Sequence, residues 1–175
     1  MTVQIRLALP GDEKTLAKLC ACIQRLHIAQ HPSHFKPFDL SEVTDWFASQ
    51  FQDPTMKSWI AEHNGDPVGY IAAFLKERPE NPFCHTRKWL EIAHIYVVPE
   101  HQRNGIARRL IEHALELAND EHIRDVELST WCFNDTALQA FQKIGFAPQY
   151  VQFKHGSPQG TAYCLTLDED DGSSD

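Results

Sequence analysis

The stretch IYVVPEHQRNGIARRLIEHA, residues 95–114, decides the fold. Its first part, IYVV, is strand-like. Its last part, IARRLIEHA, is amphipathic at helical spacing. Between them a short polar turn carries one glycine, Gly105, and the cations Arg103 and Arg108. A strand that enters a helix through a tight turn leaves the first helical N–H groups without intrahelical acceptors. Those donors and the positive end of the helix dipole favour an anion. A glycine in the turn lets that anion approach the backbone, with no Cβ in the way. The turn lacks G-x-x-x-x-G-K-[ST] and G-x-G-x-x-G, so neither a nucleotide-hydrolysing P-loop nor a dinucleotide fold is indicated.

Outward from this unit, WLEIAHIYVV (89–98) is apolar on both faces, as in a central strand covered on two sides. Before it, KSWIAEH (57–63), the turn Asn-Gly-Asp and PVGYIAAFLKE (67–77) spell a β-hairpin. VQIRLAL (3–9) predicts a first strand. Asp12 is placed to cap a helix carrying Leu16, Leu19, Ile23 and Leu26 to about Gln30. HPSHFKPFD (31–39) is a loop, and SEVTDWFASQF (41–51) is a short helix with Ser41 at its cap. Downstream come a strand, DVELSTW (125–131), and an Asn134-capped helix, NDTALQAFQKI (134–144), closed by Gly145. APQYVQFK (147–154) and TAYCLTL (161–167) predict a last hairpin. Mixing parallel crossovers with hairpins implies an α/β (α+β) single domain. It would have a mixed, mostly antiparallel sheet of about seven strands and helices on both faces. The expected domain is 1–167, followed by an acidic disordered tail, 168–175.

Composition narrows the classes. The chain of 175 residues has 42 % apolar and 23 % charged residues, as a water-soluble globular protein does. No apolar run approaches the ~20 residues that span a bilayer. The N-terminus lacks a basic stretch followed by an apolar one, so no secretion signal is expected. Cytoplasmic localisation without a membrane partner follows. Five scattered cysteines, with no C-x-x-C pair, fit reduced thiols rather than a disulfide framework or zinc site. The net charge is −8, and DEDDGSSD (168–175) contributes five of those acids. The remaining mildly acidic body argues against a nucleic-acid partner.

Gln102-Arg103-Asn104-Gly105-Ile106-Ala107 resembles the Q/R-x-x-G-x-G/A motif of the GCN5-related N-acetyltransferase superfamily. NDTALQAFQKIGFAP (134–148) resembles that family's second signature, and VQIRLALPGDEKTLAKL (3–19) its usual first strand and helix. The resemblance runs over 3–167. Ala107 stands where glycine is commoner, a difference of one methyl group. The resemblance implies acetyl-CoA as co-substrate, no metal, and an amine acceptor that is a small molecule or a peptide. A homodimer is compatible with it. It implies that backbone N–H groups of Arg103, Asn104, Gly105, Ile106, Ala107 and Arg108 hold the pyrophosphate. Tyr96, Val97 and Val98 would pair with the pantetheine like an added strand. Asn134 would contact the pantetheine arm. Phe141 belongs with the coenzyme-binding residues, but it stands where many members carry a tyrosine acid, and a phenyl ring has no proton to give.

Amine acetylation needs a deprotonated nucleophile, whereas alkyl ammonium groups have a pKa of ~10.4. A general base is therefore useful. Glu91 is the catalytic candidate. It interrupts an apolar strand, where burial would raise its pKa. It also matches the catalytic glutamate of the superfamily's histone-acetylating branch, in a similar E-I-A-x-x-x-V strand. His94 is the rival, since imidazole titrates near pH 6.5. Strand alternation sends the two to opposite faces unless the strand is bulged. By resemblance, the first two helices and their loop form one wall of the acceptor pocket. That wall brings in His31, His34, Phe35, Phe38 and Trp46. The pair His27/His31 lacks the glutamate of a zinc-hydrolase helix. Cys132 has no identifiable base beside it. A catalytically weak acyl-CoA-binding module and a peptide-modifying enzyme remain the alternative readings.

Overall fold

The structure is a computed structural model that describes residues 3–152 and 155. The chain divides after Ser129 into two compact units. The first holds a five-stranded sheet in the order β1 (Val3–Leu7), β2 (Met56–His63), β3 (Asp66–Arg78), β4 (Arg87–Val97), β5 (Asp125–Leu128). All neighbours are antiparallel except β4 and β5, which run parallel. This is the mixed α/β, mostly antiparallel sheet the sequence predicts, with five strands among the described residues where about seven are expected in the chain. Residues 147–152 form no strand, because a strand needs a ladder and none forms there among the described residues. Their expected partner, 161–167, lies outside the described residues. β5 ends three residues short of Trp131.

The two sheet faces have separate cores. On one, α1 (Glu13–Gln30) and α2 (Leu40–Gln50) bury Leu16, Leu19, Cys20 and Phe47 against Ile60, Tyr70, Ala72 and Phe74. On the other, α3 (Ile106–Asp120) lies across the strands. Its stripe Ile106, Leu110, Ile111, Ala114 is buried, and so are Ile71, Ala73, Leu90 and Ile92, which alternate with the first set. β3 is buried continuously from Val68 to Phe74, as a strand covered on both faces must be.

The β2–β3 turn is the expected one, with Asn64 and Gly65 both at positive φ. Two helix caps differ from expectation. Asp39, not Ser41, caps α2: its carboxylate accepts from the Ser41 N–H at 2.7 Å and the Ser41 hydroxyl at 2.6 Å. Asp12 precedes α1 but makes no cap bond, because its carboxylate is committed to Arg6 and to the Leu9 N–H. That pairing holds the Asp12 carboxyl below the usual range.

In the second unit, α4 (Asp135–Ile144) begins at Asn134, whose side chain accepts from the Ala137 N–H at 3.2 Å. It ends at left-handed Gly145, with φ 114°.

Candidate active site

β4 carries the decisive irregularity. Phe74 opposes Glu91 and Ala73 opposes Ile92, but Ala72 opposes His94. Ala93 is therefore an extra residue, a β-bulge. Tyr70, Ala72 and Phe74 share the α1–α2 face, so their partners Tyr96, His94 and Glu91 do too. The condition under which Glu91 and His94 would share a face is met.

Their surroundings differ. Glu91 is not buried as expected: its side chain is 44 % exposed and lies 3.4 Å from Lys76 Nζ. The strand face opens to solvent at this point, so the apolar letters flanking Glu91 report the opposite, α3-covered face. His94 is enclosed. Trp46 stacks on it at 5.6 Å, Phe47 meets it edge-on at 6.2 Å, and its Nδ1 lies 3.3 Å from the Tyr70 hydroxyl. Burial lowers the His94 pKa, and His27 adds to the effect. Burial also drives Tyr70 well above the ordinary phenol range.

Beyond the bulge, β4 loses its neighbour. The last β4–β5 pair is Ile92 with Leu128, so Tyr96, Val97 and the following Val98 have no strand on that side among the described residues. β4 runs on past the end of β5 there. On its other side β4 stays close to β3: a Cβ on Gly69 would stand 2.8 Å from the Tyr96 carbonyl oxygen.

The chain then makes a 3-10 turn, Pro99–His101, and reaches the polar loop. Arg103 has φ 61° and Gly105 φ 76°, both left-handed. The hydrogen-bond ladder of α3 opens with the Arg109 N–H to the Gly105 carbonyl at 3.1 Å. The backbone N–H groups from Ile106 to Arg108 thus precede the ladder and crowd the helix start. No atom lies within 4 Å of the position a Gly105 Cβ would occupy. The space beside Gly105 at the helix start is therefore open. Arg103, Asn104 and Arg108 are exposed around it, whereas Ile106 turns into the core. Gln102 Nε2 donates to the Val97 carbonyl at 2.9 Å, joining the loop to the strand end. The sequence does not single out Gln102 and Tyr70 as site residues. Gln102 was visible as the first letter of the motif, and Tyr70 as the one hydroxyl in the apolar run VGYIAAF.

The residues expected on the acceptor side divide. Phe35 stacks on His27 at 4.9 Å and touches His34 edge-on. Trp46 joins His94. Phe38 instead lines a groove of about 500 Å³ with Lys18, Arg25, Ile28 and Pro37. Among the described residues no group of three or more His, Cys, Asp or Glu is placed to hold a metal. Nor is any helix among them long and apolar enough to cross a membrane. In the second unit Asn134 sits at the start of α4 as expected, and Phe141 packs edge-on against Phe146 at 6.2 Å.

The model of the Acetyltransferase (GNAT) family matches residues 23–146, including both the loop at 102–107 and the helix from Asn134. The chain belongs to the GNAT family. This GNAT chain is 33 % identical over 115 residues to rat N-acetyltransferase family 8 member 3, covering 62 % of this chain and 49 % of that protein. It spans about half the length of the curated relatives it matches. A Bacillus halodurans protein shares the fold at TM-score 0.81 and 19 % identity, covering 86 % of this chain and 97 % of the other. A predicted acetyltransferase of Clostridium acetobutylicum, solved with acetyl-CoA, superposes at TM-score 0.68 and 18 % identity, covering 87 % and 96 %.

Proposed function

We propose that this GNAT protein transfers an acetyl group from acetyl-CoA to a primary amine, by direct attack in a ternary complex. The carrying observation is that a bulged β4, unpaired on one side beyond Ile92, leads through a 3-10 turn to the helix N-terminal amides at Gly105. In this reading the coenzyme supplies the activated acyl thioester. The amides of Arg103 to Arg108 bind its pyrophosphate, and Gly105 keeps the approach clear. Tyr96, Val97 and Val98 offer the free strand edge to its arm. Glu91 draws the cationic amine to the strand face and accepts its proton, directly or through water. The amine nitrogen bonds to the acyl carbon as the carbon–sulfur bond breaks, and the electron pair leaves on sulfur. Phe141 cannot protonate that sulfur. A thiol pKa of ~8.5 makes the thiolate a fair leaving group without help.

The test is chromatographic detection of free CoA from acetyl-CoA, with a panel of a polyamine, an aminoglycoside, an amino acid and a lysine peptide. Amine-dependent release supports the reading, and the responding amine separates small-molecule from peptide acceptors. Retained acetyl-CoA binding with no amine-dependent release from any of them sinks it in favour of an acyl-CoA-binding module. Phe141 is the residue that gives this second reading its footing.

A further inference from the structure

The open face of the sheet continues past Glu91 toward the end of the β3–β4 hairpin. The register there is regular: Lys76 opposes Trp89, Glu77 opposes Lys88 and Arg78 opposes Arg87. Alternation puts Lys76, Arg78, Arg87 and Trp89 on the face of Glu91, and Glu77 and Lys88 on the other. The ion pairs agree, since Lys76 meets Glu91 and Lys88 meets Glu77, each at 3.4 Å. On the parallel side Trp89 pairs with Asp125 and Glu91 with Glu127, so both acids share this face. Arg87 bonds to both acids and lies over the Trp89 ring at 5.2 Å. Arg78 is the exception. It stands directly opposite Arg87, a like-charge pairing that destabilises a sheet. Among the described residues no carboxylate lies within ion-pair distance of it. Its Nη2 reaches the His85 carbonyl only at 3.5 Å, and its Nε is shielded from solvent with no hydrogen-bond partner. A shielded donor left in this way costs free energy until an acceptor completes it.

We propose that Arg78 binds a carboxylate of the acceptor, and that the acceptor is a short extended peptide with its N-terminal amine at Glu91 and its C-terminal carboxylate at Arg78. This deepens the acetyl-transfer reading above and rests on it. A guanidinium grips a carboxylate through two parallel N–H donors, and the unpartnered Nε is one of such a pair. The span sets the length of the peptide. Arg87, opposite Arg78, is four residues from Glu91 along β4, a rise of ~13 Å. An extended peptide covers ~3.3–3.6 Å per residue, so about four residues bridge the two charges. An α-amino acid carries both charges on one carbon and cannot. Trp89 lies between them, where its indole meets an apolar side chain in the middle of the peptide.

Two probes test it: the peptide Ala-Ala-Leu-Ala with a free C-terminal carboxylate, and the same peptide as its C-terminal amide. Calorimetry with the CoA-saturated full chain reads their binding without turnover. The acid should bind about fivefold tighter than the amide, the size of a half-exposed ion pair. That ratio should fall to near one in Arg78→Gln, with folding checked by a thermal melt. It should persist in Lys88→Gln, which removes the same charge from the opposite face. Undetectable or equal binding of the two peptides by the wild-type protein overturns the proposal. So does a preference that survives Arg78→Gln or is lost equally in Lys88→Gln. Release of CoA from acetyl-CoA with the same peptides separates this proposal from the reading beneath it. If another amine is acetylated and neither peptide is, the proposal falls and acetyl transfer stands. If no amine is acetylated but the acid is bound through Arg78, acetyl transfer falls and the carboxylate site stands.

Discussion

Glu91 and His94, three positions apart on β4, present their side chains to the same face of the sheet. Regular alternation would have separated them. One extra residue, Ala93, reverses the phase of the strand between them. Deleting Ala93 should restore alternation and send one of the two side chains into the α3 core. Such a protein should lose amine-dependent CoA release at least tenfold more than it loses acetyl-CoA affinity. Equal losses would show that the bulge serves coenzyme binding alone.

Glu91 is half exposed and close to Lys76, so replacing it disturbs little packing. Glu91→Gln should lower kcat by ~10²–10⁴, the usual contribution of a general base. Calorimetric acetyl-CoA affinity should stay within about twofold of wild type. A variant with normal kcat would remove Glu91 from the chemistry.

Gly105 combines a left-handed backbone with open space above it. A side chain there is strained by about 1–2 kcal/mol and also projects into the anion's approach. Gly105→Val should weaken acetyl-CoA binding more than tenfold, and Gly105→Ala less. Undiminished affinity in Gly105→Val would take the pyrophosphate away from this loop.

Gly69 makes the opposite demand. A Cβ there would stand 2.8 Å from the Tyr96 carbonyl oxygen, closer than real contacts allow, and a strand backbone yields poorly. Gly69→Ala should cost about 1–3 kcal/mol of stability in urea unfolding. Because β4 must shift, it should also weaken acetyl-CoA binding. A variant of wild-type stability would mean the strands part more easily than their packing implies.

His27 and His94 both titrate below the ordinary imidazole value because burial disfavours their charged forms. Below about pH 6.5 the unfolded chain binds protons that the folded chain resists. Their stabilisation is therefore fully present above that pH. It declines as pH falls and is gone once the pH passes below the folded-state values. Thermal melts at pH 7.5 and 5.5 should show a drop in Tm that is smaller in His94→Gln. An equal drop would assign the acid sensitivity elsewhere.

Much of this was readable from residue order. The strand–loop–helix unit, the Asn-Gly hairpin and the capped α4 all depend on local chemistry, which neighbouring residues fix. The bulge was not readable, because nothing in E-I-A-H-I-Y-V marks Ala93 as the unpaired residue. It is defined only by what stands opposite on β3. The expected burial of Glu91 failed for a related reason: it depends on where α1 and α2 stop covering the sheet. Asp39 displaced Ser41 as a cap because both fit the same helix start, and the carboxylate accepts two bonds where the hydroxyl would accept one. Tyr70 passed unnoticed because a phenol in an apolar run resembles any large core residue until its partners are known.

The bond from Gln102 Nε2 to the Val97 carbonyl clamps the last residue of the strand to the first residue of the anion loop. Two handholds on a single molecule are thereby set at a fixed pitch. Under the proposed reading, this makes the site a ruler. A donor gripped at its phosphates has its acyl end delivered at one reach along β4, and a truncated thioester lacking the nucleotide half has only one handhold and no register. Cutting the clamp with Gln102→Ala should then erode the preference for the full-length donor over the truncated one. It would do so without removing a single atom that either donor's acyl group touches.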